Sequence, residues 1–337
     1  MNFREALCYD DVLLEPQFSD IRSRKEVDVS SGRLQIPIIS SPMDTVTEDR
    51  MAISMNEVGG LGVIHRYNDI DHQVKLVSKV KDSGKVVCAA VGASGDYFER
   101  SQELVKAGCD ILCIDVAHGF HVLVREAIQN LKTNFSDIEI MAGNIASGEA
   151  FNVLDKWGAD YIRANVGGGS ICSTRIQTGH GMPGLQTVFD CHEIRKTLDL
   201  KAKIIADGGI RNSGDIVKAL AAGADFVMLG SLLAGTEESP GEVLIDNSGK
   251  KYKVYRGMAS KEAQQHWKGS YSSYEGVSSI VDYKGSVKDV LSDLERGIRS
   301  GLSYSGARTI MELRKKAVWI KQTNAGQVES SPHILRK

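Results

Sequence analysis

Eight short apolar runs, rich in β-branched residues, constrain this chain before anything else does: 36–40, 61–64, 85–91, 110–116, 138–142, 160–166, 203–206 and 225–229. None alternates apolar with polar residues, so each reads as a strand buried on both faces, as parallel sheets require. Their starts recur about every 25 residues, which is room for a strand, a helix and two tight loops. Helix signals fill the gaps. Thr45 and Glu48 have capping-box spacing ahead of Met51, Ala52, Met55 and Val58. Ser213 can cap a helix whose inner face is Ile216, Val217 and Leu220, with Gly223 ending it. Eight such units close into an α/β (β/α)8 TIM barrel. The competing open, doubly wound sheet uses five or six strands and a glycine fingerprint after the first. Here that segment reads Ser41-Pro42-Met43-Asp44.

Two gaps break the rhythm. About 37 residues separate the sixth run from the seventh, beginning Gly167-Gly168-Gly169-Ser170-Ile171-Cys172-Ser173-Thr174-Arg175. A second insertion, about 246–285, precedes an amphipathic helix carrying Val287, Val290, Leu291, Leu294 and Ile298 on one face. Both read as long irregular loops at the C-terminal mouth, where barrel sites sit. With no low-complexity tract and no Pro/Ser-rich linker, 1–337 reads as one catalytic domain. Basic and acidic residues balance, 41 against 43, for a net charge of −2. That argues against nucleic acid or an anionic membrane as partner. No apolar run reaches the roughly 18 residues of a membrane span, and residues 1–5 lack the basic-then-apolar order of a signal peptide. The six cysteines (Cys8, Cys88, Cys109, Cys113, Cys172, Cys191) form no CxxC pair and no zinc spacing. They read as reduced thiols, and the chain as cytoplasmic.

In a barrel, residues at the strand ends share one bowl: Met43, Asp44, His65, Asp115, Asn144, the triple glycine, Asp207-Gly208-Gly209 and Gly230-Ser231. The glycines after the seventh and eighth runs let backbone N–H groups approach a phosphate, and Ser170 and Ser231 add hydroxyls. Asp207 suits a ribose diol. The alternative is that these glycines only turn tight corners. Cys172 stands on a donor-rich glycine loop, unlike Cys88 and Cys113 inside strands, so it reads either as a nucleophile or as a bland loop cysteine. Asp115 with His118 and Gly119 reads as a cofactor-side group or as loop capping. His65-Arg66-Tyr67 is either a basic lip for a dinucleotide phosphate or a solvated loop. Residues 250–253 read as a solvated hairpin face, and His72, His121, His192 and His333 as structural or surface groups.

The ordered motifs are similar to those of the IMP dehydrogenase/GMP reductase family. They are Tyr9-Asp10-Asp11-Val12-Leu13-Leu14, Ser41-Pro42-Met43-Asp44-Thr45-Val46, the 167–175 loop, Ala-Asp-Gly-Gly-Ile-Arg at 206–211, Met-Leu-Gly-Ser at 228–231 and Tyr-Arg-Gly-Met at 255–258. The paired CBS regulatory module inserted in most dehydrogenases of the family is absent, since Lys79 leads almost directly into the third run. The resemblance implies a purine nucleotide monophosphate, GMP or IMP, across the mouth. Its phosphate would lie on Ser170, Gly209, Gly230, Ser231 and Tyr255, its ribose on Asp207 and its base against Met258 with Glu275, while Ser41, Met43, Gly208 and Gly257 complete the substrate site. Cys172 would add to purine C2 as a thioimidate while hydride passes to or from a nicotinamide held near Asp115, His118, Gly119 and Asn144. A monovalent cation such as K+ would sit on carbonyls of Gly167, Gly169 and Cys172, with Glu329 from a neighbouring subunit of a homotetramer. Asn165 departs from the family's usual glycine.

Direction is the open question. A dehydrogenase hydrolyses its thioimidate with an Arg-Tyr pair on a long flap, whereas residues 261–285 contain no arginine. The short flap around His266-Trp267-Lys268-Gly269-Ser270-Tyr271, the stretch 23–28 and Met141-Ala142-Gly143-Asn144 are reductase-like. Against this, a reductase would use Thr174 with a glutamate just after Tyr-Arg-Gly-Met, and that position is Lys261, with Glu262 one place on. The stretch 207–214 and the tail 324–331 are closer to dehydrogenases. The expectation is therefore an NADPH-dependent GMP reductase, with an NAD-dependent IMP dehydrogenase as the alternative. An FMN-dependent barrel, which would not need Cys172, and a non-catalytic nucleotide sensor are the outlying readings.

Overall fold

In the computed structural model, residues 3–269 and 275–332 are described. Met1, Asn2, the flap residues Ser270 and Tyr271, and His333 lie outside them, as does the side chain of His266. A short strand β1 (Val12–Leu14) precedes the barrel strands β2 (Ile38–Ser40), β3 (Leu61–Ile64), β4 (Cys88–Val91), β5 (Ile111–Asp115), β6 (Glu139–Ile145), β7 (Tyr161–Ala164), β8 (Lys203–Asp207) and β9 (Phe226–Leu229). All neighbours are parallel, and β9 pairs back onto β2 through Ile38 and Val227, so the barrel closes. Each expected run coincides with one of these strands, β6 and β8 extending beyond theirs to Ile145 and Asp207.

The apolar runs do alternate, but between two apolar environments. Ile39, Leu61, Val63, Cys88, Ala90, Ile111, Cys113, Met141, Ile205, Phe226 and Met228 fill the barrel interior. Their neighbours Ile38, Ile64, Ala89, Val91, Leu112 and Ile114 face the helices. Both faces are dry, which is why polar alternation is missing from the sequence.

Local signals were displaced by a residue or by tertiary contacts. The capping box at Thr45–Glu48 does not form. The helix Asp49–Glu57 is preceded by Glu48 with no side-chain cap, and the Thr45 hydroxyl instead accepts from the backbone N–H of Arg256 at 3.3 Å. Asn212, not Ser213, caps the helix Ser213–Ala221 by accepting from Asp215 N–H. The long gap after β7 is largely helical rather than irregular, with helices Thr174–Thr178 and Gly184–Leu198. The second insertion is a three-stranded antiparallel sheet, β10 (Leu244–Ile245), β11 (Lys251–Arg256) and β12 (Ser278–Asp282), with the helix Lys261–Lys268 between the last two. The 250–253 hairpin is not uniformly solvated. Lys253 is buried and donates to the carbonyls of Glu237 and Ser239 at 3.3 and 2.6 Å. Strand β13 (Trp319–Lys321) pairs antiparallel with β1 and brings the two ends of the described chain together.

Candidate active site

Side chains at the C-terminal ends of β5, β6, β7 and β8 build the floor of the mouth. Arg163, on β7, is the residue sequence reasoning missed. Its signal was a lone charge inside a buried run, which demands an acid partner. Its Nη1 donates to Asp115 Oδ1 at 2.6 Å and its Nε to Asp207 Oδ2 at 3.0 Å, with Nη2 ion-paired to that same oxygen at 2.9 Å. Asn144 Nδ2 donates to the same Asp207 oxygen at 2.8 Å and to the Asn165 carbonyl at 2.9 Å.

Glycine loops form one wall. Gly208 and Gly209 have φ of +82° and +77°, the left-handed region that glycine adopts without strain. The loop after β7 packs directly on them, since a Cβ on Gly208 would lie 3.3 Å from Gly169 N. A Cβ on Gly230 would lie 2.8 Å from the Tyr255 hydroxyl and 3.2 Å from Ser41 Oγ. Tyr255 shares a hydrogen bond with Ser170, and burial raises its phenol to about 12 against that bond. Ser41 Oγ is buried with no protein partner among the described residues. An orphan hydroxyl beside a glycine cradle fits a hydrogen-bonding ligand. Asn165 holds φ at +138°, a glycine-like backbone, and its Nδ2 donates to the Gly208 carbonyl at 3.2 Å.

The opposite wall is the cysteine loop zipped to the flap. Cys172 bridges Gly276, Ser173 N–H donates to the Glu275 carbonyl at 2.9 Å, and Val277 N–H to the Ile171 carbonyl at 3.0 Å. Cys172 Sγ donates to Thr174 Oγ1 at 3.1 Å, and the Thr174 hydroxyl donates to Glu275 Oε2 at 2.7 Å. The glutamate beside Thr174 is therefore Glu275. Glu262 is exposed on the first turn of its helix, because the flap folds the later segment, not the earlier one, back onto the cysteine loop.

These walls enclose a cavity of about 520 Å³, within the range of small-molecule sites. Ser41, Met43, Asp115, Asn144, Gly167, Gly169, Cys172, Thr174, Asp207, Gly208, Gly230, Tyr255, Gly257, Met258 and Glu275 line it. Gly209 abuts the Gly168 carbonyl, and Ser231 is half-buried with its carbonyl accepting from Lys284 Nζ at 2.5 Å. His118 is exposed, while Gly119 packs against Asn144 and donates to its carbonyl at 2.7 Å. The turn named for a cation is closed by Cys172 N–H to the Gly169 carbonyl at 3.1 Å. Glu329 is exposed at the end of the helix Asn324–Glu329. The loop 65–67 is not simply solvated: His65 is buried, 3.1 Å from Glu48, and accepts from Tyr67 N–H, while Arg66 and Tyr67 line the cavity. Sequence reasoning also missed the aromatic edge, where Trp267 meets Tyr67 at 5.5 Å between ring centres and both line the cavity.

A closed β/α barrel with glycine loops, carboxylates and a loop thiol around one mouth has the layout of a nucleotide-handling barrel enzyme. Residues 6–333 match the IMP dehydrogenase / GMP reductase domain. An inosine-5′-monophosphate dehydrogenase from Nitrosopumilus maritimus is 36% identical, covering 99% of this chain and 99% of that protein. One from Borreliella burgdorferi is 38% identical over 98% of this chain and 97% of that protein. The crystal structure of a GMP reductase variant from Trypanosoma brucei in complex with guanosine 5′-monophosphate superposes with a TM-score of 0.92 at 31% identity, over 98% of each chain. The chain belongs to the IMP dehydrogenase/GMP reductase family, oxidoreductases acting on purine nucleotides with a nicotinamide cofactor.

Proposed function

We propose that this chain, as one catalytic domain, is a GMP reductase that converts GMP to IMP and ammonia. The observation that carries this reading is the hydrogen-bonded line Cys172–Thr174–Glu275. As Cys172 Sγ bonds to purine C2, its proton passes along that line, and the same line returns it to the exocyclic amine. The C2–N bond breaks, ammonia leaves, and a thioimidate on Cys172 remains. A bound NADPH supplies the hydride that reduces C2. The C2–S bond then breaks, and the thiol regains a proton from solvent.

Asp207 takes the ribose, and Ser41, Gly208, Gly209, Gly230 and Tyr255, with Ser170 and Ser231, take the phosphate. Gly257 and Met258 face the base. Asp115 and the Tyr67–Trp267 edge hold the nicotinamide side, with Asn144 between the two halves. Carbonyls of Gly167, Gly169 and Cys172 offer a monovalent cation its ligands, completed by Glu329 of a second subunit in a homotetramer. A cytoplasmic setting fits the reduced cysteines; no helix among the described residues is long and apolar enough to cross a membrane.

The second reading, IMP dehydrogenase, is favoured by relatives at 36% and 38% identity that carry that name. It needs a base to activate water, and 261–285 has no arginine for it. A paired assay following nicotinamide absorbance decides. The expected result is NADPH consumption and ammonia release with GMP. Formation of XMP from IMP and NAD overturns the reductase reading.

A further inference from the structure

The floor of the mouth holds a charge for which the reaction above has no task. Arg163 is only 6% exposed. Burial works against its charge, but Asp207 and Asp115 outweigh that and hold its pKa well above the ordinary arginine value. The neighbouring strand makes room for it, since a Cβ on Gly143 would lie 2.6 Å from Arg163 Cβ. Both acids are bound through a single oxygen, Oδ1 of Asp115 and Oδ2 of Asp207. The second oxygen of each has no hydrogen-bond partner among the described residues, and both residues line the cavity. A planar guanidinium grips two acids in fixed directions, which an ammonium cannot do. Fixing one oxygen of a carboxylate aims the other, and an aimed, partnerless oxygen suits a sugar hydroxyl.

We propose that Arg163 is a positioning residue that ties the two carboxylates of the mouth into one unit, so that sugar-hydroxyl recognition by Asp207 depends on the Arg163 fork and on Asp115. The inference rests on the purine nucleotide reading and adds selection of the ribonucleotide over its 2′-deoxy form.

Calorimetric titration of GMP and 2′-deoxy-GMP into the whole protein tests it, with Arg163→Lys and Arg163→Gln beside the parent and thermal melts to establish folding. The parent is expected to prefer GMP by about tenfold or more, since losing a hydrogen bond to a charged group has that size. Both variants are expected to narrow the preference below about threefold, and to bind GMP about tenfold more weakly. A folded variant that keeps the parent's preference overturns the proposal. So does an equal loss for both nucleotides, the mark of a merely structural role, and so does a parent preference near one. Should both arginine variants fail to fold, Asp115→Asn carries the test: a narrowed preference supports the coupling and an unchanged one overturns it. If the parent takes up neither GMP nor IMP, the nucleotide reading itself falls and takes this inference with it. That result is distinct from an unchanged preference.

Discussion

The two ends of the barrel carry inverted charge triads. At the C-terminal mouth one arginine, Arg163, lies between two aspartates, Asp115 and Asp207. At the N-terminal end one aspartate, Asp225, lies between two arginines, Arg195 and Arg314. The lower triad is saturated. Asp225 Oδ2 accepts from Arg195 and from Ile204 N–H at 2.8 Å, and Oδ1 from Arg314 at 3.2 Å. Arg314 also caps the Leu220 and Ala224 carbonyls, and Arg195 caps that of Gly223. The arginines there close helix and loop ends, and Asp225 joins them to strand β8 through Ile204. The upper triad leaves two oxygens facing a cavity. Spare acceptors, rather than charge as such, separate the working end from the supporting end, in keeping with the division of labour in barrels.

The largest effect tests the working end. Cys172→Ala should reduce turnover by at least about a thousandfold while GMP affinity stays within about tenfold, because phosphate and ribose contacts supply most ground-state binding. Residual activity of a few per cent in a purified variant would rule out covalent catalysis. Next is the supporting end. Asp225→Ala leaves two largely buried guanidinium groups without their acid and should cost about 3–5 kcal/mol in a denaturation midpoint, with KM for GMP unchanged. A changed KM at preserved stability would erase the distinction between the triads. Smaller again, Thr174→Val breaks the line from Cys172 to Glu275. It should lower kcat by about a hundredfold with KM within about threefold, the signature of a proton-transfer group. Steady-state kinetics in which KM alone rises would assign Thr174 to binding instead.

The same distinction decides what the sequence could reveal. The eight runs were legible because both faces of each strand are apolar, a signal that no distant contact can undo. The glycine corners and Cys172 were legible because they interrupt periodicity. Glu275 was not legible as the partner of Thr174. That pairing depends on the flap segment returning to lie beside the cysteine loop, through the Cys172–Gly276 bridge, whereas the family resemblance pointed to a glutamate close after Tyr-Arg-Gly-Met, nearest Glu262. Thr45 failed as a cap for a similar reason, since its hydroxyl meets Arg256 from the flap sheet. Arg163 sat in plain view inside 160–166, but only the closed barrel shows that Asp115 and Asp207, from strands on either side, converge on it.

The smallest predicted effect lies at the supporting end and runs with pH. His192 is half-buried beside Arg195, with its Nδ1 3.2 Å from Arg195 Nη2. Burial, then the charges of Arg195 and Arg314, push its pKa down from 6.5 to about 4. The folded chain thus keeps this imidazole neutral where the unfolded chain binds a proton. Its contribution is fully present above the unfolded value, and it is lost as pH falls from 6.5 through about 4. The ring is only partly buried, so the effect on stability is modest. His192→Gln should make the fall in Tm across that window shallower and leave the pH profile of kcat unmoved. A kcat profile that shifts with His192→Gln would mean that the lower triad communicates with the mouth, and the supporting end would then have to be counted as part of the machinery.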